Sequence, residues 1–217
     1  MTKSIDARQK GNIFDIAKLA AAFLVILSHT KPFEYSFLLD KATSLITRFS
    51  VPVFFTLTGY FLFSGSFTAA KLKKYLLHTV RFFLIWTVIT LIFELGTVTA
   101  LTSAKEALSF FCHCFLHGIG PLWFLPALIL GSLIVGLGLL KGLEKPLYVL
   151  AAVMLFILLL FNSYNFILIK IGLGRLTELI PPIRIYQSLF YSVPYLMLGH
   201  FCNSGKPVIK RTDPLVT

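Results

Sequence analysis

The first apolar stretch of the chain, FDIAKLAAAFLVILSHT at residues 14–30, carries three titratable groups that a plain anchor would not need: Asp15, Lys18 and His29. Imidazole titrates close to neutral pH, so His29 has the chemistry of a general base that draws a proton from a hydroxyl. Eleven residues separate Lys18 from His29, which on a helix is about 1100°, or about 20° past three full turns, over about 16 Å. The two side chains therefore share one face near opposite ends of the span. Asp15, three residues before Lys18, lies on nearly the same face. A stripe of charge turned to lipid is costly, so this one is expected to face the bundle interior as a site. Snorkelling by Lys18 and a headgroup-level His29 would account for either residue alone, but not for the shared face.

Other candidates follow along the chain. Arg48, in LITRFSVPVFF, falls near the outer end of the second apolar run, at about the depth of His29. Glu94, in TLIFELGTV, is the only charge within the third run, and either pairs with a neighbouring cation or takes part at the site. AKLKKYLLHTVR, residues 70–81, is the most basic stretch. It reads as a topology determinant near anionic headgroups, or as a dock for a polyphosphate ligand through Lys73, Lys74 and Arg81. Trp123, in PLWFLP, would stack on a sugar or acyl chain, or serve as an interfacial anchor. Cys112, His113, Cys114 and His117 lack the usual spacing of a zinc site, and no metal is expected. Glycine-rich phosphate loops, nucleophile elbows and HExxH are absent.

These residues must be positioned by membrane helices. Of the 217 residues, 57% are hydrophobic and 13% charged, with a mean hydropathy of +0.84. Soluble domains carry about 25% charged residues. Composition therefore predicts an all-α, polytopic transmembrane bundle forming one domain over residues 1–217. Its six spans fall at roughly 13–30, 45–63, 82–101, 122–140, 147–169 and 185–202. With a cytoplasmic N-terminus, the inner segments hold twelve lysines and arginines and the outer segments seven, as the positive-inside rule requires. The net charge of +11 thus encodes orientation, and no nucleic-acid partner is expected.

FDIAKLAAAFLVILSH, RFSVPVFFTLTGYFLF, the basic segment leading into RFFLIW, and PLWFLPALI together resemble the bacterial membrane acyltransferase family 3. The likeness covers roughly residues 13–140 and is greatest to the branch that includes the membrane module of vancomycin-type serine racemases. Lys18 and His29 match the family's pattern of a basic residue, ten intervening positions and a histidine. The resemblance implies transfer of an acyl group, usually acetyl, from acyl-CoA to a hydroxyl of a surface glycan or lipid-linked sugar, at the inner or plasma membrane. Acyl-CoA would be a donor substrate, with no permanently bound cofactor. His29 would be the base, and Lys18 would place positive charge along the donor's path. Lys73, Lys74 and Arg81 would meet the CoA phosphates, and Arg48 would steady His29's partner or the oxyanion. A transport module without acyl chemistry is the alternative that the racemase branch implies. This chain departs from the family at Pro121, where histidine is common and for which His117 could substitute, and in carrying lysines for a cytoplasmic arginine pair. The family also has more helices than these six spans, so a missing C-terminal half or a partner subunit is expected.

Overall fold

The computed structural model describes Ile16, Leu19, Ala20, Phe23, Leu24 and Leu27, together with residues 35–93, 103–118, 120–179 and 189–204. Among these residues the backbone is helical, with turns between the helices and no strand. The all-α class expected from composition is the class observed. The helices are α1 (Phe37–Thr47), α2 (Ser50–Leu62), α3 (Ala69–Phe93), α4 (Ala104–His117), α5 (Phe124–Leu140), α6 (Glu144–Leu158), α7 (Asn165–Lys170), α8 (Gly174–Leu179) and α9 (Leu189–Ser204). A 3-10 turn, Gly120–Trp123, leads into α5, and a π-helical turn, Leu159–Ser163, extends α6.

Three helical stretches among the described residues are long and apolar enough to cross a membrane: Phe37–Leu62, Ala69–Phe93 and Glu144–Ser163. Their outward residues are apolar. Ile85, Val88 and Ile92 on α3, and Val149, Val153 and Phe156 on α6, are all at least half exposed. In water such a surface would associate or aggregate, whereas facing lipid it costs nothing. The interior is also largely apolar but holds a few hydroxyls. Ser50 and Thr79 are buried; Ser50 donates back to the Thr47 carbonyl at the end of α1, and Thr79 to the Tyr75 carbonyl within α3.

α9 occupies the centre, packed against α2, α5 and α6. The α2–α9 contact is made by glycine. A Cβ on Gly59 would run into the Leu196 carbonyl, and one on Gly199 into the Thr56 carbonyl. Small residues let two helix backbones meet, which is how helices bind tightly where lipid removes the hydrophobic drive. α3 and α5 run antiparallel. Leu72 fills the space over Gly136 at one end, and Phe83 packs on Leu125 at the other. The ring pairs Phe55–Tyr191 and Phe63–His200 set α2 parallel to α9.

Two stretches differ from the sequence expectation. The basic segment 70–81, expected as an inner loop, is the first part of α3. It contains neither glycine nor proline, and its alanines, leucines and lysines are strong helix formers, so the helix continues through the charges. The fifth apolar run, expected as one helix over 147–169, is divided. After the π-helical turn the chain bends at Tyr164 before α7 begins.

Candidate functional site

A cavity of about 670 Å³ lies between α2, α3 and α5. α3 contributes Lys71, Lys74, Tyr75, His78, Thr79 and Phe82, a spacing of three and one that is one helix face. α2 adds Phe54, Leu57, Thr58 and Phe61, and α5 adds Phe124 and Leu128. Lys74, His78 and Phe82 are exposed and form the open rim. Among the described residues, no acidic side chain lines the cavity.

The polar groups are layered along α3. Lys71 stands at the end where α2 terminates. Its Nζ donates to the carbonyls of Phe61 at 3.2 Å and Ser64 at 2.9 Å, satisfying acceptors that the end of α2 leaves open. Lys74, less than one turn further, carries its charge at the rim. Next comes a hydroxyl band, in which the Tyr75 phenol lies among the hydroxyls of Thr58, Thr79 and Ser132. Beyond it the walls are apolar, and Phe54 meets Phe124 edge to face at 5.6 Å. The arrangement suits an anionic amphiphile, with charge complemented at the rim and hydrocarbon within.

Of the residues singled out from the sequence, Lys74 lines this cavity. Lys73 and Arg81 are exposed on α3 but do not line it. Successive residues on a helix diverge by about 100°, which turns Lys73 away from Lys74. Arg81 lies about two turns beyond Lys74 along the helix. Arg48 is exposed in the turn between α1 and α2, at the other end of α2 from Lys71. Trp123 is buried, with its ring 6.1 Å from Tyr191 and edge-on to it, so the core takes up its surface. Asp15, Lys18, His29 and Glu94 lie outside the described residues. His117 ends α4, and Pro121 sits in the 3-10 turn. Sequence reasoning missed Lys71, Tyr75 and His78. The signal was there in the helical periodicity of AKLKKYLLHTVRFF, and reading that stretch as a loop concealed it.

A second polar cluster joins α6 and α9. His200 Nε2 lies 3.3 Å from Glu144 Oε1, and its ring stacks on Tyr148 and meets the edge of Phe63. The other ring nitrogen, Nδ1, is buried with no hydrogen-bond partner among the described residues.

Lipid-facing apolar helices around a basic-rimmed apolar cavity are the build of a membrane protein. The family described as an acyltransferase domain matches residues 12–215, and the chain belongs to that family. It is thus a membrane acyltransferase-type domain. The chain is also similar to an Enterococcus faecalis protein named amino-acid racemase. The two are 29% identical over 210 residues, covering 89% of this chain and 28% of that relative's length. No solved structure matches the chain.

Proposed function

We propose that the chain is the membrane module of an O-acyltransferase that takes its acyl group from acyl-CoA and passes it to a hydroxyl of a surface glycan or lipid-linked sugar. The observation that carries this reading is the apolar cavity with a cationic rim in a member of the acyltransferase family. In the inner or plasma membrane, with the N-terminus cytoplasmic, the Lys71 end of α3 faces the cytoplasm, where acyl-CoA is found. Lys74 at the rim, with Lys73 and Arg81 on the exposed surface of α3, would hold the phosphates by charge-assisted hydrogen bonds.

The chemistry assigned to the first span follows from its residue types. The acceptor hydroxyl attacks the thioester carbonyl while His29 takes the hydroxyl proton. The carbon–sulfur bond of the tetrahedral intermediate then breaks, an ester remains on the acceptor, and CoA leaves as a thiol bearing the proton returned by the imidazolium. Arg48, at about the depth of His29, would supply positive charge for the oxyanion, and Lys18 would place positive charge along the donor's path. The relative's racemase activity is not carried over, since this chain corresponds to only 28% of it.

Cells carrying His29→Ala should lose surface O-acyl groups while keeping the protein's abundance. Loss of amino-acid uptake with O-acylation intact would point to transport instead. Retention of both would leave a noncatalytic membrane scaffold.

A further inference from the structure

We infer that His78 is a second phosphate-binding side chain of the cavity. Together with Lys74, one turn before it on α3, it grips the diphosphate of CoA, and it makes that grip depend on pH. The inference deepens the acyl-CoA reading above and rests on it. Among the described residues, three basic side chains line the cavity: Lys71, Lys74 and His78. Lys71 Nζ already donates to the carbonyls of Phe61 and Ser64. Lys74 and His78 are exposed at the mouth, four residues apart in KYLLH. That spacing puts their Cβ atoms about 6 Å apart on one helix face. Side chains on a helix lean toward its N-terminus, so the imidazole lies back over the turn that carries Lys74. A diphosphate, two tetrahedra sharing one oxygen, is of a size to lie between the two.

Two cations one turn apart on a bare helix repel each other. A diphosphate set between them replaces the repulsion with two charge-assisted hydrogen bonds. An ammonium group is charged throughout the neutral range, whereas imidazole changes its charge between about pH 5 and 8. One of the two contacts therefore weakens as the pH rises through that range, and the other stays. On α3 the charged neighbours of His78 are Lys74 and Arg81, with the Tyr75 phenol three residues before it. Across the cavity, among the described residues, α2 presents the Thr58 hydroxyl and α5 presents Phe124, Leu125 and Leu128. A lipid headgroup carries related phosphate chemistry. The donor suits the pair better, because it brings two linked phosphates to two cations where a common phospholipid brings one.

The test titrates the full chain in phosphatidylcholine nanodiscs with dephospho-CoA, by calorimetry, at about pH 5.5 and about pH 8.5. Dephospho-CoA keeps the diphosphate diester, whose charge is constant across this range. It lacks the 3′-phosphate, a monoester that would itself titrate at about pH 6. The unaltered protein should bind roughly tenfold tighter at the acidic pH, the worth of one charge-assisted contact. His78→Gln should bind equally at both, at the weaker level, and His78→Lys should bind tightly at both. A pH dependence that persists in His78→Gln, or that is missing from the unaltered protein, would overturn the inference while leaving the acyl-CoA reading in place. No binding by the unaltered protein at either pH would overturn that reading itself. In a last arm, phosphatidylglycerol replaces part of the phosphatidylcholine, and the advantage over His78→Gln at the acidic pH should survive. Its disappearance would mean that lipid phosphate occupies the pair, and would refute the assignment to the donor.

Discussion

The two sides of α2 are built on opposite principles. Towards α9, Gly59 and Gly199 bring the backbones together so closely that neither position has room for a methyl group. Towards α3 and α5, aromatic and aliphatic side chains hold the helices apart around about 670 Å³ of space. Lipid does not drive apolar helices together as water does, so close packing has to come from shape. The α2–α9 contact supplies that shape and makes a frame. With the frame fixed on one side, the other side can stay open and receive a ligand without the bundle coming apart.

The largest expected effect breaks the frame. Gly59→Ala or Gly199→Ala drives a Cβ into backbone, which cannot step aside, and should cost about 3 kcal/mol or more. Thermal unfolding followed by size-exclusion chromatography would show it as loss of the monodisperse peak. Gly136→Ala provides the comparison, because its Cβ would come 2.7 Å from the tip of the Leu72 side chain, which can move. It should cost about 1 kcal/mol, and a cost equal to that of Gly59→Ala would remove the contrast between rigid and yielding contacts.

The open side is probed by charge. Lys74→Gln should weaken CoA binding by about tenfold, the value of one charge-assisted hydrogen bond, with little change in unfolding temperature. Lys73→Gln, off the cavity face, should weaken it by no more than about threefold, the usual worth of an exposed charge. Similar losses for both would mean that the helix surface, not the cavity rim, holds the phosphates. The smallest effect belongs to Glu144→Gln. It removes the carboxylate facing His200 from a site where Glu144 is half exposed. A stability change within about 0.5 kcal/mol is expected, and a larger one would make the α6–α9 cluster part of the frame.

Much of the helical content was legible in the sequence, because long apolar runs bounded by charge leave few other structures for the chain to form. Gly131, Gly136 and Gly138 of α5 are buried, as small residues at close helix contacts in a membrane bundle are expected to be. The basic stretch was visible but was placed in the wrong element. Charge density suggested a loop, whereas unbroken helix propensity from Ala69 to Phe93 prevailed. Trp123 illustrates a different gap. An indole in a Pro-Leu-Trp segment serves an interface or a core equally well, and only its contact with Tyr191, 68 positions away, places it in the core.

By itself, then, the sequence determined that this chain is a helical membrane protein with a basic segment feeding its third span. Composition, run length and helix propensity are properties of neighbouring residues, and those are enough. Which lysine of that segment turns to the cavity, which glycines meet, and that His200 finds Glu144 were decided by tertiary structure. Each depends on a second helix arriving at a particular depth and rotation, and no local pattern specifies its partner.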